Sequence, residues 1–124
     1  MNVTGVDFAI VQTQDFDRAV DFYENTLGLE RSIQYGSHPG MEFETGNLTL
    51  AVLEIEKFGQ PFNVSKSAIM FQVDDVPAAK AELEGEGVTF QGDIIDSGVC
   101  HQAFFSDPDG NSLGLHHRYT PRTS

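Results

Sequence analysis

The sequence contains one cysteine, no tryptophan and no long apolar run. Cys100 alone cannot form an intrachain disulfide bond, so we expect a chain that works in the reducing cytoplasm. No segment approaches the ~20 apolar residues of a membrane-spanning helix. The first residues also lack the basic start and apolar stretch of a signal peptide. We therefore expect neither a membrane partner nor secretion.

Basic residues are also few, since seven Lys and Arg stand against 19 Asp and Glu, for a formal net charge of −12. Phosphate backbones repel such a chain, so nucleic acid is not an expected partner. An acidic surface can concentrate a cationic small molecule, but acidity also serves simply to keep a protein soluble. The charge argues against nucleic acid as a partner and does not indicate which of the other functions the protein has.

An internal repeat organises the 124 residues, which are enough for one domain. In the first half, residues 5–12 predict a strand, and Asp15 can cap a helix that Gly28 ends. The apolar face of that helix is predicted to be Phe16, Ala19, Val20, Tyr23 and Leu27. In the second half, residues 67–73 predict the equivalent strand, followed by a helix that Asp75 caps and Gly87 ends.

Each half ends with a hairpin signal. Gly46-Asn47 lies between segments 41–45 and 48–53, and Gly110-Asn111 lies between segments 99–106 and 112–116. We therefore predict an α+β fold in which two βαβββ modules form a curved, mostly antiparallel sheet around a concave cavity, with the helices outside. Module one is predicted at 1–56, the linker at 57–66, module two at 67–118 and a tail at 119–124.

Three motifs carry a resemblance to a known family. They are the segment 15–23 (Asp-Phe-Asp-Arg-Ala-Val-Asp-Phe-Tyr), then Leu27-Gly28-Leu29, and Asp107-Pro108-Asp109-Gly110-Asn111. Together with the repeat, these motifs resemble the vicinal oxygen chelate superfamily, which includes glyoxalase I, extradiol dioxygenases and bleomycin-resistance proteins. The resemblance spans nearly the whole chain and implies the two-module fold. It does not fix the chemistry, because the superfamily hosts several unrelated activities.

The resemblance also implies where metal ligands would lie. In metal-dependent members, a first-strand ligand precedes the helix-capping Asp by seven residues, and a last-strand ligand follows the turn Gly by four. In this sequence those positions hold Phe8, Ala68, Leu50 and Gly114. None of these side chains can donate to a divalent cation. We therefore predict no metal, no cofactor, and no classical metal-dependent glyoxalase or dioxygenase activity.

Strand alternation predicts which side chains accompany those positions on the inner face. We expect apolar walls with a few convergent polar groups, the usual make-up of a small-molecule pocket. The predicted ligand-binding residues are Phe8, Ile10, Gln12, Leu50, Val52, Glu54, Ala68, Met70, Gln72, Ser112, Gly114 and His116. In the competing interpretation, Phe8, Met70 and their neighbours fill the interior as ordinary core, although the small Ala68 and Gly114 favour open space.

Three functions follow from these alternatives. The first is a metal-free homodimer, similar to bleomycin-resistance proteins, that sequesters an apolar or aromatic ligand, either neutral or cationic. The second is a lyase- or isomerase-type enzyme with His116 or Glu54 as acid or base. It includes a relocated metal site at His116, His101 and Glu54, which no ligand spacing supports. The third is an interaction module whose cavity is filled.

Overall fold

The computed structural model describes residues 1–121, so Arg122 of the predicted tail lies outside the described residues. Each half of the chain forms one four-stranded mixed sheet with one principal helix. The first compact unit is Met1–Ser65, and the second begins at Lys66. The predicted α+β fold of two βαβββ modules is confirmed. No helix among residues 1–121 has the length and apolar character needed to cross a membrane.

Module one contains four strands in the spatial order β1-β4-β3-β2. Its β1 and β4 are parallel, and the other neighbouring pairs are antiparallel. Its elements are β1 (Phe8–Gln12), α1 (Phe16–Asp21), a π-helical turn (Phe22–Thr26), β2 (Glu30–Gln34), β3 (Gly40–Glu44), β4 (Thr49–Leu53) and a 3-10 helix (Ile55–Phe58). The 3-10 helix spans the predicted boundary between module one and the linker.

Module two repeats this order as β5-β8-β7-β6, with β5 and β8 parallel. Its neighbours β7–β8 and β6–β7 are antiparallel. Its elements are β5 (Ile69–Gln72), α2 (Val76–Gly85), β6 (Ile95–Asp96), β7 (Cys100–Ser106) and β8 (Ser112–Arg118). The repeat seen in the sequence is therefore a repeat of topology.

Both helices begin at the predicted capping residues. The Asp15 side chain accepts a hydrogen bond from the Arg18 amide, and the Asp75 side chain accepts one from the Ala78 amide. These bonds satisfy amides that the first helical turn leaves without a partner. The sequence signal and the observed caps agree because an Asp cap acts locally.

The first helix departs from the predicted α-helical face after Asp21. There it widens into the π-helical turn, in which the Leu27 amide donates to the Phe22 carbonyl at 2.9 Å. The wider turn lets both Phe22 and Tyr23 be buried, although the 3.6-residue period placed only Tyr23 on the apolar face. The Tyr23 ring packs on Phe43 of β3 with ring centroids 6.1 Å apart. The core of module one therefore lies between the helix and one face of its sheet.

The two hairpins have turns of different length. In module one, the Thr45 amide donates to the Leu48 carbonyl across Gly46-Asn47. In module two, the Asp107 amide donates to the Asn111 carbonyl across three residues. Gly46 and Gly110 adopt φ values of 108° and 91°, a region that favours glycine, so the predicted turns are confirmed. Asn47 separates Gly46 from the closing residue Leu48, whereas Gly110 directly precedes Asn111, so the strand register counted from each glycine differs by one residue.

Candidate functional site

Each sheet has one face packed on its helix and an opposite face, here called the distal face. In module one, strand pairing places Ile10 beside Ala51, Ala51 beside Glu42, and Glu42 beside Ile33. Paired residues project from the same face, so these four side chains form one row across the sheet. Phe8 and Gln12 lie on the same face as Ile10, because they alternate with Ala9 and Val11.

Leu50 and Val52 do not lie on this face, so their predicted place among the pocket residues was wrong. The register pairs Leu50 with Ala9 and with Phe43, whose ring contacts Tyr23 beside the helix. Val52 pairs with Val11, and both are buried. These side chains form the helix-side core of module one.

The error comes from the turn. Counting four residues from Gly110 reaches Gly114, which pairs with Met70. The same count from Gly46 reaches the helix-side Leu50, because Asn47 separates Gly46 from the closing residue Leu48, whereas Gly110 directly precedes the closing residue Asn111. The distal-face residue equivalent to Gly114 is Ala51, since Ala51 pairs with Ile10 as Gly114 pairs with Met70. Ala51 also lacks a donor atom, so the corrected set of positions still offers no metal ligand.

Glu54 was also placed in the pocket wrongly. Its Oε1 accepts a hydrogen bond of 3.1 Å from the Phe16 amide, and its Oε2 lies 3.4 Å from the Lys57 ammonium group. The carboxylate therefore stabilises the first turn of α1, where free amides and the helix dipole favour a negative charge. Glu54 is occupied as a helix-capping group and is a poor candidate for an acid or base.

The rest of the distal face of module one combines exposed apolar side chains with engaged polar ones. Phe8, Ile10 and Ile33 are 48%, 51% and 54% exposed. The Gln12 amide oxygen accepts a hydrogen bond from the backbone of Asn63, which fixes the linker to the end of β1. Exposed apolar side chains of this size, aligned on one face, are typical of an interaction surface.

Two carboxylates on this face are held by hydroxyl groups. The Tyr35 hydroxyl donates to Glu42. Burial raises the pKa of Tyr35 to about 12, with a further contribution from this hydrogen bond. The hydroxyls of Thr49 and Ser32 donate to Glu44 and lower its pKa. These hydrogen bonds fix the positions of the two carboxyl groups beside the apolar row.

In module two, the distal face contains Met70, Gly114 and Phe104 side by side on β5, β8 and β7. A Cβ added to Gly114 would lie 2.5 Å from the Met70 sulfur and 3.0 Å from the Ala103 carbonyl oxygen. The expectation of open space at Gly114 was therefore wrong, because the Met70 thioether packs over it. The place where a last-strand metal ligand would project is filled by an apolar side chain.

The next row of module two is polar. Gln72 pairs with His116, and His116 pairs with Gln102, so an amide, an imidazole and a second amide project together. Ser112 lies on the same face and pairs with Ser106. Ala68 immediately precedes β5 and is half-buried. The predicted pocket residues of module two thus share one face.

Residues of β3 and β7 complete these rows, and the sequence prediction left them out. They include Glu42, Gln102 and Phe104. The prediction considered only the first and last strands of each module, where the resemblance places metal ligands. In module two, counting back across the hairpin from Ser112 to Ser106 leads to Phe104 and Gln102 by alternation.

The described residues, 1–121, contain no group of three or more His, Cys, Asp or Glu side chains placed to hold a metal ion. The relocated site at His116, His101 and Glu54 is therefore not formed in that part of the chain. His101 instead lies 3.3 Å from the Asp96 carboxylate and packs against the Tyr119 ring. Phe8, Ala51, Ala68 and Gly114 do not fit a metal, although the absence of a metal stays a prediction.

Comparisons with known proteins agree with this architecture. The family model of the Glyoxalase/Bleomycin resistance protein/Dioxygenase superfamily matches residues 5–115. The antibiotic-binding protein TnmS3 from Streptomyces sp. CB03234 is 29% identical, with a TM-score of 0.78 over 95% of this chain and 98% of that one. No curated protein matches the chain.

Two further solved structures are similar. A glyoxalase/bleomycin resistance protein from Streptomyces sp. CB03234 is 28% identical, with a TM-score of 0.73 over 91% of this chain and all of that one (100%). A lactoylglutathione lyase from Agrobacterium tumefaciens is 18% identical, with a TM-score of 0.76 over 94% and 95% of the two chains, and shares the fold. With its family-model match and its two βαβββ modules, this chain belongs to the Glyoxalase/Bleomycin resistance protein/Dioxygenase superfamily.

Proposed function

We propose that this chain binds an apolar or aromatic small molecule, either neutral or cationic, on the distal face of either sheet and without a metal ion. The observation that carries the proposal is the nature of the side chains at the positions where the superfamily resemblance places metal ligands. Phe8, Ala51, Ala68 and Gly114 offer no donor atom, and Met70 packs over Gly114. Such a face can bind by apolar contact and hydrogen bonding, and sequestration needs only affinity.

Two further observations support this function. TnmS3, which is 29% identical, is an antibiotic-binding protein. The net charge of −12 favours the approach of a cation over that of an anion. The absence of tryptophan leaves Phe and Tyr rings as the stacking platforms, and Phe8 is the exposed ring on the distal face of module one.

The proposal also includes the compartment and the oligomeric state of the protein. We propose a cytoplasmic homodimer, because the single Cys100 suits a reducing compartment and a twofold dimer is the general default for soluble oligomers. Light scattering at micromolar concentration tests the dimer. A monomer there would contradict this part of the proposal and leave metal-free binding to be judged by itself.

Binding can be tested with 10-methylacridinium, a planar aromatic cation whose fluorescence reports its environment. We expect saturable binding, weakened about tenfold by Phe8→Ala, because an aromatic contact contributes roughly 1 kcal/mol. The matched control is Phe58→Ala, which removes a partly exposed ring of the 3-10 helix that contacts His38. Equal weakening by both variants, or no saturable binding of this dye or of neutral acridone, would contradict the proposal.

A further inference from the structure

The polar side chains of the two distal faces differ in what they contact. In module one, Gln12 accepts a hydrogen bond from Asn63, Glu42 from Tyr35, and Glu44 from Ser32 and Thr49. Their hydrogen-bonding groups are thus used within the chain.

In module two, the three side chains of the row Gln72, His116 and Gln102, here called the polar row, make no hydrogen bond within residues 1–121. Each can both donate and accept. His116 and Gln102 are half-buried, so part of each side chain has already lost contact with water. Polar groups in this situation gain most from a ligand that supplies the missing partners.

We propose that the polar row recognises the hydrogen-bonding edge of a planar aromatic ligand that lies against Met70 and Phe104. This inference rests on the proposed function and adds the chemical class of the ligand. It makes Gln72, His116 and Gln102 specificity-determining residues, while the apolar row beside them supplies contact area.

The geometry of the sheet sets what the ligand must carry. Neighbouring strands lie about 4.8 Å apart, so the polar row presents three hydrogen-bonding groups at that interval along a line. A fused three-ring aromatic with a polar atom on each ring along one edge matches this spacing. The neighbouring row, Met70–Gly114–Phe104, runs parallel to it and offers a thioether and an aromatic ring for the body of the ligand.

The polar row also explains how such a protein distinguishes ligands of equal charge. An apolar surface discriminates poorly between similar aromatic molecules, whereas a site built for hydrogen bonds penalises a ligand that lacks them. A ligand without the polar edge would cover the polar row and leave its half-buried groups without partners. The expected preference is therefore for edge chemistry, at constant ring size and charge.

Two dyes separate the contribution of hydrogen bonds at the ligand edge from the contributions of ring contact and charge. Proflavine carries two amino groups and a protonated ring nitrogen along one edge of a three-ring cation. The cation 10-methylacridinium has the same rings and charge but no hydrogen-bonding group on that edge. Fluorescence titration of the wild-type protein with both dyes is expected to show proflavine binding at least about tenfold more tightly, as more than one hydrogen bond is gained.

Substitutions in the polar row then test which side chains cause the preference for proflavine. We expect Gln72→Leu and Gln102→Leu each to weaken proflavine roughly threefold to tenfold and to leave 10-methylacridinium nearly unchanged. Gln102→Glu keeps an acceptor oxygen and should retain the preference for proflavine. Gln60→Leu, at an exposed loop position, is the matched control and should affect neither dye.

The outcomes distinguish this inference from the proposed function. If the wild-type protein binds neither dye, the proposed function fails and this inference fails with it. If both dyes bind equally, or if the preference survives both leucine variants, the inference is overturned while metal-free binding stands. A preference for proflavine that both leucine variants remove supports the inference.

Discussion

At the scale of single residues, the pair Met70 and Gly114 fills a position where the superfamily resemblance places a metal ligand. Gly114 occupies a ligand position, and the Met70 side chain packs directly over it. The two residues are complementary in volume, since the thioether fills the space that the glycine leaves. Their contact explains how a ligand position can be vacated without leaving a void in the sheet.

This complementarity predicts that Gly114→Ala destabilises the protein by roughly 1–3 kcal/mol, because the new methyl group would contact Met70 and the Ala103 carbonyl too closely. Urea unfolding measures the change in the free energy of unfolding. Gly85→Ala is the matched control, since a Cβ there meets nothing and alanine favours the helix by up to about 1 kcal/mol. Equal effects of the two substitutions would contradict the packing described.

Tyr35 gives a second prediction at this scale. Burial, then the hydrogen bond to Glu42, raises its pKa from 10.0 to about 12. A folded-state pKa above the unfolded value means a contribution to stability that is present below pH 10.0 and lost as the pH rises through about 12. Spectrophotometric titration should therefore show a phenol ionising near pH 12 that Tyr35→Phe removes and Tyr119→Phe retains. A Tyr35→Phe titration unchanged in that range would contradict this assignment.

At the scale of secondary-structure elements, local signals predicted most of the fold. Asp15, Asp75 and the two hairpin glycines mark where elements begin or turn, and each acts through hydrogen bonds or backbone angles within a few residues. The π-helical turn was not predictable from an α-helical period. It depends on packing Phe22 and Tyr23 together against the sheet, which only tertiary structure determines.

The distal face of the last strand was assigned correctly in module two and wrongly in module one for a single reason. A face assignment counted from the turn glycine transfers between modules only if that glycine lies equally far from the strand, since a shift of one residue moves every side chain to the other face. Gly110 directly precedes the closing residue Asn111, whereas Asn47 lies between Gly46 and the closing residue Leu48. Leu50 and Val52 were therefore placed on the distal face, whereas Ala51 lies there.

The capping role of Glu54 makes a prediction for helix α1. Glu54→Ala should lower the free energy of unfolding by about 1 kcal/mol, because the Phe16 amide loses its acceptor and the first turn loses a favourable charge. Glu56→Ala, which removes an exposed carboxylate two residues later, should change stability by less than about 0.5 kcal/mol. Urea unfolding distinguishes the two. Unchanged stability of Glu54→Ala would show that this carboxylate does not cap the helix.

At the scale of the whole molecule, the relevant features are the net charge and the lack of metal-ligating side chains at the positions where the superfamily resemblance places metal ligands. Because the net charge is −12, the affinity for an aromatic cation should fall as salt screens the surface charge. Raising ionic strength from about 0.01 M to about 0.1 M shortens the Debye length from about 30 Å to about 10 Å. We expect the affinity for 10-methylacridinium to fall and that for neutral acridone to stay constant. The same salt dependence for both dyes would show that charge contributes nothing specific.

We propose that this member of the superfamily binds its ligand without a metal. The most direct test is metal content by mass spectrometry, on protein purified without an affinity tag or a chelator. We expect far less than one equivalent of zinc, iron, nickel or manganese per chain. A near-stoichiometric amount of any of these metals would contradict it and would place a metal-dependent enzyme first among the functions to test.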